Sequence, residues 1–292
     1  VKTRRGDTET RRRGDKNSLR RVAASPRRRV RVVTLLTDFG TADYFVGAMK
    51  GVILSINPEA RIVDITHEIP PQDIQAGAFT LSAVYQTFPA ATIHTVVVDP
   101  GVGSARRPIL VYGGNQFFVG PDNGLFSFIV DREPEARVFH LTNENYFRQS
   151  VSQTFHGRDV FAPIAAALSK GVNAEQLGTE IKDYVRLDHL KPKQRDAQTI
   201  QASIIHIDRF GNCVTNLTRE HVTDEMIARG VRLIVNGREI TSLHRFFAEG
   251  RKATNELFAI WGSAGYLEIA AFRASAAQLL NCQRGQIITV TS

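Results

Sequence analysis

The sequence predicts an α/β fold: a mostly parallel N-terminal sheet with helices on both faces, then a smaller β-rich, barrel-like C-terminal domain. Three observations carry this. Apolar strands alternate with helix-period segments through the first half, and short, closely spaced strands fill the last third. Between them lies a polar, proline-bearing stretch, "LKPKQRD" (190–196), which reads as a linker. The expected organisation is an Arg-rich disordered tail (1–29), an α/β domain (30–190) and a β-rich domain (197–292).

The first strand is "VVTLL" (32–36), an unbroken apolar run of the kind found where a sheet is covered on both sides. Phe45, Ala48, Met49, Val52, Ile53 and Ile56 then recur at helical spacing, and Asn57-Pro58 ends that helix. "RIVDIT" (61–66) is the second strand. Ile74, Leu81, Val84, Tyr85 and Phe88 mark a helix over 73–88, and "TIHTVVV" (92–98) is the third strand. "PILVYG", "QFFVG" and "RVFHL" are further strands, followed by a helix from about Asp159 to Lys170. After the linker, "TIQASIIHID", "CVTNL", "RLIVNGREIT", "LFAIWGS", "YLEIAAF" and "QIITVTS" read as strands. Asn236-Gly237 marks a hairpin, and "REHVTDEMIARG" and "SAAQLLN" are the helical segments.

Charge is unevenly distributed. Residues 1–31 hold 13 of the 37 Lys and Arg but three of the 29 Asp and Glu, so the net +8 belongs to the tail and the remainder is slightly acidic. With almost no large apolar residues, the tail cannot bury a core. It also lacks the apolar stretch of a secretory signal. A solvated extension accounts for its arginines, so no nucleic-acid partner is assigned. No run of 18 apolar residues occurs, so no membrane span is expected. Cys213 and Cys282 have neither metal nor redox spacing, which points to a reducing, cytoplasmic protein.

Ligands of open parallel sheets gather beyond the carboxyl ends of the strands. Asp38 and Asp99 sit at such ends, and Asp43 follows Asp38 at the start of the first helix. Paired carboxylates there suit the hydroxyls of a ribose, although Asp43 serves equally well as a helix cap. "DPGVGSARR" (99–107) has the glycines of a phosphate loop but an acid at its mouth, which opposes phosphate. Arg106 can fold back over Gly101 and Gly103 to keep Asp99 ionised; taken alone, the segment also fits a surface turn with a charge pair. "TFHGRD" (154–159) sets His156 on a loop beside Gly and Arg, a placement suited to proton transfer. In "VDITHE", strand spacing sends some of the Asp64, His67 and Glu68 side chains to opposite faces, so no metal is assigned. "PDNG" (121–124) is a tight turn. "IDRFGNCVTN" (207–216) presents Asp208 and Asn212 around a Phe-Gly turn, where Asn can pair with a purine edge, and "WGSAGYLEIA" carries Ser263; each also fits a plain turn.

Together, "TDFG" with Asp43, "VDITHEIPP", "DPGVGSARR", "PDNG", "TFHGRD", "DRFGNCVTN" and "GYLEIA" resemble the SAM hydrolases, adenosyl–hydroxide transferases related to the fluorinase and chlorinase. The resemblance runs in order from about residue 32 to the C-terminus. It implies an α/β domain with a smaller β-rich domain, a homotrimer with the active site between subunits, and hydrolysis of S-adenosyl-L-methionine to adenosine and L-methionine. No cofactor is implied. On this resemblance Asp99, Arg106 and His156 are the catalytic set, Asp38 and Asp43 hold the ribose, Asn212 the adenine, and Asp208 and Ser263 the methionine. Halide transfer to the same substrate, a metal-dependent hydrolase using Asp64, His67 and His156, and a non-catalytic nucleoside-binding module are the competing readings.

Overall fold

The computed structural model describes Val1 and residues 31–187, 190–196, 198–249 and 255–292. The disorder expected for 1–29 falls, Val1 apart, outside the described residues.

The N-terminal half is built on a sheet of seven strands, β1 (Val32–Thr37), β2 (Arg61–Thr66), β3 (Ile93–Val97), β4 (Pro108–Gly113), β5 (Gln116–Pro121), β6 (Arg137–Leu141) and β7 (Gly178–Ile181). Their order is β2-β1-β3-β5-β4-β6-β7. The pairs β1/β2, β1/β3 and β3/β5 are parallel, whereas β4/β5, β4/β6 and β6/β7 are antiparallel, so the sheet is mixed. The change of direction comes from the β4–β5 hairpin, whose Gly114 and Asn115 both have positive φ, as a two-residue turn of the right twist requires.

Successive residues of β1 serve opposite faces. Leu35 packs with α1 (Phe45–Ile56) and α4 (Ala162–Ser169), through Met49, Ile53, Ile164 and Leu168. Leu36 packs with α2 (Ile74–Val84) and α3 (Ser127–Arg132), through Leu81 and Ile129. That double burial explains the unbroken apolar run. α1 has the predicted limits, while the helix expected over 73–88 is α2 followed by a 3₁₀ turn at Tyr85–Thr87. The helix expected from Asp159 begins as a wider π-turn, Gly157–Phe161, before α4. The short α5 (Ala174–Leu177) leads into β7.

The C-terminal half is a strongly curled, half-barrel sheet. It contains β8 (Lys193–Gln194), β9 (Thr199–Ile207), β10 (Cys213–Thr215), β11 (Arg232–Val235), β12 (Arg238–Ile240), β13 (Leu243–His244), β14 (Leu257–Trp261), β15 (Leu267–Ala271) and β16 (Ile287–Thr291). α6 (Asp224–Arg229) and α7 (Ala276–Leu279) lie within it, and Asn236-Gly237 forms the expected hairpin between β11 and β12. Part of the "LKPKQRD" stretch is not free chain: β8 pairs with β9 as an edge strand. The halves touch through α2 and β9. Phe79 stacks on His206 at 4.6 Å, Gln75 Nε2 donates to the Ile205 carbonyl, and Arg284 pairs with Asp73.

Candidate active site

Strand order sets the site. β2 and β3 flank β1 on opposite sides, so the order reverses between β1 and β3, the position beyond whose carboxyl ends open sheets bind their ligands. Asp38 follows β1 directly, and Asp99 follows β3 after Val98. Asp38 is half-buried and accepts the Gln72 N–H at 2.8 Å. Burial raises its carboxyl above the ordinary range; the Gln72 bond partly offsets this, and the charge of Asp99 adds to it. Asp43 is exposed in the bend before α1 and is not the cap, a position held by Tyr44 without a side-chain bond.

Asp99 and Arg106 are nearly closed off, with side chains 5% and 9% exposed. Arg106 does fold back: Nε donates to Asp99 Oδ1 at 2.9 Å and Nη2 to Oδ2. The same Nη2 lies 2.7 Å from His156 Nδ1. His156, half-buried at the start of the π-turn, has its pKa pushed down by burial first and by the Arg106 charge second. Three side chains from two loops therefore share one cluster. Gly103 makes it possible: its φ of 79° and a Cα pressed on the Gln153 carbonyl bring the Asp99–Arg106 loop against the His156 loop. Arg107 goes elsewhere, to Asp122 and Asp183.

Several supports escaped the sequence reading. "PDNG" is more than a turn. Its Asn123 Nδ2 donates to the Val98 carbonyl at 2.9 Å, bracing the residue before Asp99, and its buried Asp122 holds Arg107. Asp64 and His67 also do not diverge. The chain leaves the strand after Thr66, so His67 Nε2 lies 3.2 Å from Asp64, whose other oxygen binds Lys50. His67 Nδ1 meets Thr37 Oγ1 at 2.9 Å, directly under the Asp38 turn.

The remaining candidates gather in the C-terminal half. Asp208, Asn212 and Ser263 line a cleft of about 800 Å³ together with Phe210, Phe247, Trp261, Glu268 and Arg273. Asp208 Oδ1 accepts the N–H groups of Phe210 and Asn212, and Oδ2 accepts Asn212 Nδ2 at 2.8 Å. The buried Asn212 is thus oriented with Oδ1 left as its acceptor. Ser263 is exposed in the turn between β14 and β15. Glu268 was not anticipated; burial, then the charge of Asp208, pushes its carboxyl up to about 7. None of Asp38, Asp43, Asp99, Arg106 and His156 lines this cleft. In one chain, the two groups of candidates stand apart.

Residues 33–178 match the SAM hydroxide adenosyltransferase N-terminal domain, and residues 202–289 match the C-terminal domain of the same family. The chain belongs to the SAM hydroxide adenosyltransferase family. It is 36% identical over 264 residues to an (R)-S-adenosyl-L-methionine hydrolase of Methanocaldococcus jannaschii, covering 86% of this chain and 92% of that one. An enzyme of the same name from Salinispora tropica is 36% identical, covering 89% of this chain and 97% of its own. A fluorinase of an Actinoplanes species is more distant, at 26% identity, over 89% of this chain and 97% of its own. Among solved structures, an uncharacterized conserved protein from Thermotoga maritima superposes with a TM-score of 0.80 at 34% identity, covering 89% of this chain and all of that one. Among the described residues no helix is long and apolar enough to cross a membrane, and no cluster of three or more His, Cys, Asp or Glu is arranged to hold a metal ion.

Proposed function

We propose that this member of the SAM hydroxide adenosyltransferase family hydrolyses S-adenosyl-L-methionine to adenosine and L-methionine, with water attacking C5′ in line with the carbon–sulfur bond. The observation that carries the reading is the convergence of Asp99, Arg106 and His156 beyond the carboxyl end of β3. A new C–O bond forms as the C5′–S bond breaks and its electron pair returns to sulfur. The neutral thioether then leaves without an acid. The demanding part is to hold and desolvate a weak nucleophile.

The hydrogen bonds distribute the roles. Arg106 has only donors, so His156 Nδ1 accepts from it and the neutral ring carries its proton on Nε2. His156 then donates to the water oxygen and fixes its direction. Asp99 is the acceptor of the set and takes the proton that water sheds as the bond forms. Arg106 holds Asp99 in orientation through its two-pronged bond. A carboxylate here also opposes chloride or fluoride, which favours water over halide, while a sulfonium cation is welcome.

In this reading Asp38 and Asp43 take the ribose hydroxyls, Asn212 Oδ1 accepts from the adenine amino group, and Asp208 and Ser263 stand at the methionine. Phe210 and Phe247 offer flat apolar faces in the same cleft. Because this cleft and the catalytic cluster are separate in one chain, a neighbouring copy completes the site, in keeping with a homotrimer. A cytoplasmic location belongs to the same reading, supported by two cysteines that stand as free thiols.

The test is incubation with SAM, with and without chloride, and chromatography for adenosine, methionine and 5′-chloro-5′-deoxyadenosine. Adenosine and methionine in equal amounts, indifferent to chloride, are expected. Alanine at Asp99 or His156 lowers turnover about 10²- to 10⁴-fold. A chloronucleoside product, or alanine variants that turn over normally, refutes the assignment.

A further inference from the structure

Asp159 is 1% exposed, and its contacts surround His156 in sequence. Before the histidine, the Ser152 N–H donates to Asp159 Oδ2 at 2.9 Å and Arg148 Nη1 reaches Oδ1 at 3.4 Å. After it, Arg158 closes a two-pronged bond, Nε to Oδ1 at 2.7 Å and Nη2 to Oδ2 at 2.8 Å. The Asp159 carbonyl also accepts the Arg148 N–H at 2.9 Å. One residue thus ties together both arms of the segment that carries His156.

The location adds to this. Asp159 lies inside the π-turn Gly157–Phe161, whose N-cap is His156. π-turns widen the backbone and recur at functional sites. Phe155, beside His156, is wedged edge-on against Phe39 and Phe45 with ring centroids 5.9 and 5.1 Å away. The loop is therefore packed on one side and held by a carboxylate on the other. Arg148 and Arg158 are themselves partly exposed, with side chains 45% and 30% accessible, so the clamp buries one carboxylate while leaving its cations in contact with water.

We infer that Asp159 is a positioning residue for the reaction proposed above: it clamps the 148–158 loop so that His156 Nδ1 meets Arg106 and Nε2 faces the water. It touches no reacting atom. The inference rests on the hydrolase reading for its rate consequences, and on the loop geometry alone for its structural ones.

The test compares Asp159→Asn with Arg148→Gln, using Leu168→Ala in α4 as a variant that loosens the core away from the loop. Asn keeps the shape but puts N–H groups against Arg158. The expected result is a fall in kcat of about 10- to 100-fold in Asp159→Asn, with KM for SAM and inhibition by adenosine nearly unchanged. The acid limb of kcat also moves to lower pH, because a negative charge near His156 is lost. Arg148→Gln, which leaves the carboxylate paired with Arg158, shows a smaller fall in the same direction. If Asp159→Asn does not fold, Arg148→Gln decides. Normal kcat in the folded variants, or equal losses of kcat and stability in Leu168→Ala, overturns the inference. A readout independent of turnover is the ¹⁵N NMR signature of His156: a single Nε2–H tautomer in the parent chain and a mixture in Asp159→Asn support it, and an unchanged signature refutes it. A parent chain that leaves SAM intact refutes the hydrolase reading instead, and the NMR result still judges the clamp.

Discussion

Arg106 Nη2 lies 2.7 Å from His156 Nδ1, and the two can share that distance only while the imidazole nitrogen is unprotonated. Protonation would set donor against donor and force the loops apart. Burial and the Arg106 charge hold the His156 pKa below its ordinary 6.5, so the productive form persists into mildly acidic solution. kcat/KM for SAM is therefore expected to stay level through neutral pH and fall on an acid limb lying below the usual histidine range. Stability follows the same sign. Between the depressed folded value and 6.5 the unfolded chain binds more protons, so stability rises with pH across that window. Replacing Arg106 with Gln removes the cation and moves the limb upward. A pH–rate profile of the two proteins checks this, and coincident limbs would remove Arg106 from the explanation.

Gly103 gives the second prediction. Its φ of 79° is costly for a side chain, and a Cβ would strike the Gln153 carbonyl. Gly103→Ala therefore separates the loop bearing Asp99 and Arg106 from the one bearing His156. Stability is expected to drop by about 1–3 kcal/mol and turnover by at least about tenfold, while the adenosine affinity changes little. Thermal melts and steady-state kinetics report both. Loss of adenosine binding with normal turnover would contradict the arrangement.

Much of this was legible in the sequence because it depends on strand ends. Leu35 and Leu36 face opposite helices, so an apolar run announced a doubly covered strand, and the acids that end such strands had to lie at its edge. The Arg106 fold-back was legible too, since two glycines lie between it and Asp99. Other features were not. α3 and β7 span six and four residues, too few to display a period. Asp64 and His67 were separated by a strand rule that fails once the chain turns after Thr66. Asn123 and Glu268 matter through contact with distant backbone or through a cleft, and neither leaves a local pattern. Cys213 and Cys282, 69 positions apart, have sulfurs 3.5 Å apart for the same reason.

Asp208 and Asn212 yield a third prediction. Asp208 takes two backbone N–H groups and the Asn212 amide, so its carboxylate is already engaged before any ligand arrives. Part of what Asp208 does for binding therefore passes through Asn212. Each alanine variant is expected to raise KM for SAM by about tenfold, and the double variant by far less than the product of the two. Full multiplicativity in the double-mutant cycle would show Asp208 acting on the ligand alone.

Glu268 carries the last prediction, one of stability. Burial and the neighbouring Asp208 raise its carboxyl from an ordinary 4.5 to about 7, and Arg273 lines the same cleft. Between those values the folded chain holds a proton that the unfolded chain has released. The folded state therefore loses stability as pH rises through the window, the reverse of a salt-bridged carboxylate. Glu268→Gln keeps the shape and hydrogen-bonding capacity of the neutral acid and never ionises. It should match the parent near pH 4.5 and exceed it above 7, by about 1 kcal/mol once the water reaching the open cleft is allowed for. In a chain of this size that is a shift of roughly 2–4 °C in Tm. Melting curves taken across the window decide: a gap widening with pH supports a neutral Glu268 in the folded state, and parallel curves would mean that the carboxylate is ionised throughout.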